Sequence, residues 1–253
     1  MSKRVVYIII FLFTVNNSHA DVPVEIVKKF RLIVKLIQEN KPAELSKMVS
    51  YPLTRENPLP DIMTAKQFIA YYPTLIDEAF KNRIKLYNDS DIFEHHGSYG
   101  LVGGPFKGDI WVDENGKLQS INYSSDKETA LKNHLTKEIQ AHIYPSVNTW
   151  DDNIIVCKSK TLLIRVDNTK KGIRYVSWCN GHKDSERPDL VLFNGVEEAQ
   201  GTMGGWTWTF KNGDWTYVVD DVEMCENDKG CGYYLRLFFK DTMKRSIKLQ
   251  EIK

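Results

Sequence analysis

The stretch from Ile154 to Glu251 constrains this chain most, because it carries short alternating runs at regular spacing and no helical period. Strands are predicted at 154–158, 161–167, 173–179, 189–193, 206–210, 215–222 and 233–240, with an eighth at 246–251. Alternation sends successive side chains to opposite faces, so each run buries one face only. Seven or eight such strands in series bring their buried faces together as a sandwich or a barrel. Asn194-Gly195 and Asn212-Gly213 are predicted tight turns, since both residue types tolerate the backbone that a two-residue hairpin needs.

The first half reads differently. From Val24 to Asn40 the residues Ile26, Val27, Phe30, Ile33, Val34 and Ile37 recur at three and four, which is one face of a helix. Pro42 opens a short second helix with Leu45, Met48 and Val49. Thr64-x-x-Gln67 has capping-box spacing and starts a third; Pro73 interrupts it, and the pattern resumes with Leu75, Ile76, Ala79 and Phe80. Residues 84–87 and 91–95 are extended candidates, and Gly97, Gly100, Gly103 and Gly104 punctuate a predicted loop. Glu114-Asn115-Gly116 joins two alternating runs, the strongest local signal for a hairpin. Ser125-x-x-Glu128 is another capping box and opens a helix carrying Ala130, Leu131, Leu135 and Ile139. Residues 142–153, with Pro145, Ser146 and Asn148, read as a connector.

This order over residues 22–125, two helices, an extended segment, a longer helix and an antiparallel sheet, resembles the cone-shaped nuclear-transport-factor-2-like (NTF2-like) fold. The resemblance implies a pocket between helices and concave sheet, in a superfamily of binding modules, hydrolases and isomerases. It carries no catalytic residue onto this chain. The second half is similar in style to β domains of uncharacterised exported bacterial proteins. The expected class is therefore α+β, with an NTF2-like domain at 21–145 and an all-β domain at 146–253.

Residues 1–20 read as an export signal: Lys3 and Arg4, an apolar run from Val5 to Val15, then Ser18-His19-Ala20. The run is shorter than the ~20 residues a spanning helix needs, and no cysteine follows it before Cys157 that could take a lipid. A periplasmic or secreted product without a membrane anchor is the expectation. Taking Lys3 and Arg4 from 34 basic residues leaves 32 against 33 acidic ones, which gives no electrostatic footprint for nucleic acid. The cysteines Cys157, Cys179, Cys225 and Cys231 suggest two disulfides in an oxidising compartment. Four cysteines allow three connectivities; spacing favours Cys225 with Cys231 and Cys157 with Cys179. Without a C-x-x-C knuckle no metal site is expected, and no cofactor motif is present.

Candidate sites are few. Glu94-His95-His96 is the densest titratable cluster and supplies Glu94 and His95 as an alternative catalytic pair. Strand alternation would send His95 and His96 to opposite faces. Asp77, Glu78, Asp109, Asp113 and Glu114 are carboxylates expected on solvated faces. Trp206, Trp208 and Phe210 alternate on one strand and Trp215 with Tyr217 on the next, making an aromatic ladder. Facing water, Trp206, Trp208, Trp215 and Tyr217 would be a binding platform for sugar rings or a partner's side chains; facing inward they are core, which large aromatics favour. No nucleophile elbow, zinc helix or phosphate loop occurs. The expected function is an exported binding protein recognising a protein or glycan of the cell envelope, of inhibitor or immunity type. The alternative is a small hydrolase or isomerase using the first domain's pocket.

Overall fold

The computed structural model describes residues 22–201, 204–223, 225 and 230–252, so the expected export signal at 1–20 lies outside the described residues. The chain forms two compact units, one of residues up to Ser50 together with Glu78–Asn122, the other of Tyr51–Asp77 together with Tyr123 onward. Residue 145 falls inside the second unit.

The first unit holds α1 (Val24–Gln38), α2 (Pro42–Leu45), α4 (Glu78–Ile84) and an antiparallel meander of β1 (Ile92–His95), β2 (Ser98–Gly103), β3 (Phe106–Val112) and β4 (Leu118–Ile121). α1 buries Ile26, Phe30, Ile33, Leu36 and Ile37, the stripe its spacing predicts. The β3–β4 hairpin forms as expected, its turn held by Asp113 Oδ1, which accepts from the backbone N–H groups of Asn115 (2.9 Å) and Lys117 (2.8 Å). Two expectations fail. Residues 84–87 are the end of α4 and a turn, not a strand. The glycine-rich segment is β2, not a loop: a Cβ on Gly100 would stand 2.7 Å from the Trp111 ring, so glycine here lets an indole lie on the strand. Asp109 is not solvated either; it is buried in a two-point ion pair with Arg83 (2.5 and 2.9 Å).

In the second unit, β5 (Asp152–Lys158), β6 (Leu162–Thr169), β7 (Gly172–Cys179), β8 (Leu190–Ala199), β9 (Trp206–Asn212), β10 (Trp215–Val222), β11 (Gly232–Phe239) and β12 (Thr242–Glu251) pair in chain order, and β12 returns to β5. The result is a closed antiparallel barrel, the simplest way to leave no sheet edge unpaired. Its interior is filled by Ile164, Val166, Tyr175, Trp208, Phe210 and Val219 among others. Tyr175 stands at 5.5 Å from Phe210 and 5.7 Å from Tyr217 between ring centres, within the range of favourable aromatic pairs. Asn194-Gly195 is not a turn but an irregularity within β8, where the strand passes from pairing with β7 to pairing with β9. A Cβ on Gly195 would meet the Phe210 ring at 2.3 Å.

Because Ile164 and Val166 point into the barrel, Arg165 and Asp167 must point out, and both are buried. Asp167 accepts from Arg165 (2.9 Å), from Arg174 on β7 (2.8 Å) and from the Asn153 amide (2.7 Å). What covers them is the segment 143–151, which leads into β5. Ile143 and Val147 pack with Val176 and Trp178 in a second apolar cluster, the Val147 carbonyl accepts from Arg174 (2.8 Å), and the Trp150 ring lies 4.3 Å from the Arg165 guanidinium. The predicted connector is thus a strap packed on the barrel wall.

The remaining helices of this unit are α3 (Ala65–Leu75) and α5 (Asp126–His142). Both predicted N-caps form: Thr64 accepts from Gln67 N–H and Ser125 from Glu128 N–H. Pro73 lies inside the last turns of α3 instead of interrupting it. The buried residue of α5 is Glu128, not its leucines. Glu128 accepts from Arg55 Nε (2.8 Å) and Nη2 (2.5 Å) and from the Tyr71 hydroxyl (2.9 Å), and burial together with this carboxylate pushes the Tyr71 phenol up.

Cys225 and Cys231 form the expected disulfide. The second bridge is a correction, for Cys157 and Cys179 are free thiols. They sit on β5 and β7 with β6 between them, and two strand spacings, about 10 Å, exceed the ~7 Å that a disulfide spans between Cα atoms. Burial pushes the Cys157 thiol far up, which keeps it protonated and inert.

Two measurements check this arrangement. Thiol titration should count two free thiols after denaturation, with Cys157 unreactive in the native protein; a count of zero would restore the second bridge. Replacing Asp167 with Asn should lower unfolding free energy in urea by about 3–5 kcal/mol, the cost of leaving buried cations uncompensated.

Candidate functional site

The strap leaves cavities where it leaves the barrel. One of about 150 Å³ is lined by Asn57, Pro58, Thr136, Ile139, Trp150 and Arg165 among others. Another of about 260 Å³ shares Asn57, Pro58, Thr136, Trp150 and Asn153 with it and adds Thr129, Lys132 and Asn133 of α5. The two together make one cleft with Trp150 as its common wall. Three elements build it. Asn57 is fixed by donating to the Asn153 side chain (2.6 Å), which in turn donates to Asp167. α5 presents Glu128, Lys132 and Thr136 at four-residue spacing, hence on one face. Trp150 is fixed by stacking on Arg165.

The cleft combines amides, hydroxyls and one indole with several charged groups. Some of its charged groups are matched: Lys132 bridges Glu56 (2.9 Å) and Asp152 (3.5 Å), and Glu128 is matched by Arg55, while Asp151 and Asp184 add further carboxylates to the lining. Hydroxyl and amide groups can give and take hydrogen bonds with a polyhydroxylated ligand, and an aromatic wall offers a face for a ring. Among the described residues no three His, Cys, Asp or Glu side chains gather as metal ligands.

The sequence-predicted residues lie elsewhere. Glu94 closes the β1–β2 turn by accepting from Gly97 N–H (2.8 Å). His96 sits in that turn with φ +49°, so alternation does not apply and its ring lies 4.2 Å from that of His95, both exposed. The aromatic ladder divides. Trp208 is 4% exposed and Tyr217 is partly buried, both in the barrel core, which removes them from any platform. Trp206 and Trp215 are 45% and 38% exposed, but Trp206 pairs with Asp221 and Trp215 with Asn212, at opposite ends of the hairpin. They cannot act as one surface.

The cleft residues escaped sequence reading for a physical reason. Asn57, Asn133, Asn153 and Thr136 form no spacing motif and come from three separate segments. Trp150 next to a proline-bearing connector was the one available signal.

A second titratable feature lies on β10. Asp221 pairs in register with Tyr233, and burial, reinforced by Glu223 and Glu251, pushes its carboxyl up to about 6. The folded state therefore binds this proton more tightly than the unfolded chain. Its stabilising contribution is complete below the ordinary value of 3.8 and is lost as pH rises through about 6. Asp221→Asn should accordingly raise the urea midpoint relative to the parent at about pH 7.5 and much less at about pH 4; an equal effect at both would show that Asp221 is not held in its acid form.

Set against known protein families, curated proteins and solved structures, the chain matches none.

Proposed function

We propose that this is an exported binding protein, without catalytic activity of its own, whose ligand is a glycan of the cell envelope seated in the cleft beside Trp150. The observation that carries the reading is the cleft's makeup: an indole that lines the same cavities as the amides Asn57, Asn133 and Asn153 and the hydroxyl of Thr136. Sugar rings present an apolar face edged by hydroxyls, and that pattern is matched by a ring and convergent amides. Lys132 and Glu128 of the cleft are held in ion pairs, which favours binding over turnover at these two groups.

Export is supported by the amino-terminal pattern and by the Cys225–Cys231 disulfide, which persists in oxidising compartments. Among the described residues no helix is long and apolar enough to cross a membrane. In this reading the first unit, which holds α1, α2, α4 and the four-stranded antiparallel sheet but not the extended segment or α3 of the NTF2-like order, serves as a companion scaffold. An inhibitor or immunity role would follow if the glycan-bearing partner were a rival's hydrolase or toxin target.

Calorimetric titration with soluble peptidoglycan fragments tests the proposal. The parent should bind, and Asn133→Ala combined with Thr136→Ala should weaken binding about tenfold or more while leaving the thermal midpoint within a degree or two, since neither change removes core packing. No binding by the parent across neutral and acidic glycan fragments would overturn it.

A further inference from the structure

On the far side of Trp150 lies a third cavity, of about 570 Å³, that the glycan reading does not use. Its wall includes Arg174, Lys170 and Lys171, with Ser146 and Thr149 from the strap and Phe193 from β8. Charge is the feature to explain. Arg165, Asp167 and Arg174 form a buried cluster of two cations on one anion, so the barrel wall carries an uncompensated positive charge. Arg174 is 3% exposed, and its Nε, like that of Arg165, has no hydrogen-bond partner among the described residues. Lys170 and Lys171 stand at the β6–β7 turn directly before that cluster and form no ion pair among the described residues. The turn itself is built to hold them: Thr169 Oγ1 donates to the Gly172 carbonyl (2.7 Å) and accepts from Lys171 N–H (3.2 Å). Asp151 is the one carboxylate in the lining, so cations exceed anions.

From this charge surplus beside a cavity with hydroxyl donors and an aromatic wall, we propose that the β6–β7 turn and the strap form a binding site for a phosphate monoester. A dianion answers two lysines and the surplus of the buried cluster better than a carboxylate does. The volume exceeds that of a phosphate ion, leaving room for an organic portion against Phe193 and Trp150. Ser146 and Thr149 can donate hydrogen bonds to phosphate oxygens. The site stands whether or not the neighbouring cleft takes a glycan.

Titration of the full protein with glycerol 1-phosphate, inorganic phosphate, sulfate and acetate tests the proposal. Expected is saturable binding of glycerol 1-phosphate, tighter than that of acetate or sulfate and weakened about tenfold or more by the double variant Lys170→Gln, Lys171→Gln. Both lysines are turn residues on the surface, so the variant should keep its thermal midpoint. Lys244→Gln, an exposed lysine on β12, alters charge elsewhere and should leave binding unchanged. Equal weak binding of all four anions that disappears at about 150 mM salt, or equal losses in both variants, would mark a nonspecific ion atmosphere and overturn the proposal. Absence of any binding would do the same. Inorganic phosphate binding as tightly as the ester would also overturn it, since the cavity would then have no use for the organic portion.

Discussion

Asp167 is the point on which the second unit turns. A carboxylate on the outer face of a barrel strand is ordinarily solvated, and here it is fully buried, with three donors converging on it from β5, β6 and β7. Two guanidinium groups cannot be left in an apolar interior without an anion, and the anion cannot be dehydrated without donors. The barrel strands supply the donors, and the strap completes the cover with the Val147 carbonyl on Arg174 and the Trp150 ring on Arg165. That makes the strap part of the fold in spite of its loop-like composition and fixes Trp150, while Asn153 of β5 fixes Asn57.

The cavities follow from the same cluster. A polar patch on a barrel wall cannot be covered as tightly as an apolar one, because guanidinium and carboxamide groups need directional partners and their covers must be spaced to supply them. Space remains around Trp150 on either side. One side combines amides and hydroxyls with ion-paired Lys132 and Glu128, and the other carries Lys170 and Lys171 without ion pairs among the described residues, so a single aromatic residue divides two chemically different compartments. The Arg55–Glu128–Tyr71 cluster does for α3 and α5 what Asp167 does for the strap: a buried charge pair, satisfied by hydrogen bonds, ties segments distant in sequence.

Much of the fold was legible because period is a local property. All eight strands of the barrel, the stripe of α1, both helix caps and the β3–β4 hairpin follow from spacing within a few residues. The errors came where a distant side chain decides the local conformation. Gly100 and Gly195 read as loop and turn residues, yet each is a flat place on a strand for a ring from elsewhere, Trp111 in one case and Phe210 in the other. Cys157 and Cys179 look paired until β6 is inserted between them. The aromatic ladder looks like one surface until the register puts Trp206 and Trp215 at opposite rims.

The amino-acid sequence by itself determined that this is an α+β chain with a helical first half and a β-rich second half, because hydrophobic period is written residue by residue. It determined that the second half would bury alternate side chains, and its spacing favoured Cys225 with Cys231 without settling the connectivity. Only the tertiary structure decided that the strands close on themselves, that segment 51–77 joins the barrel's unit, and that Arg165, Asp167 and Arg174 share one buried site. Charges carry no period: a run such as Arg165-Val-Asp167 reads as a solvated face until another segment excludes the water from it.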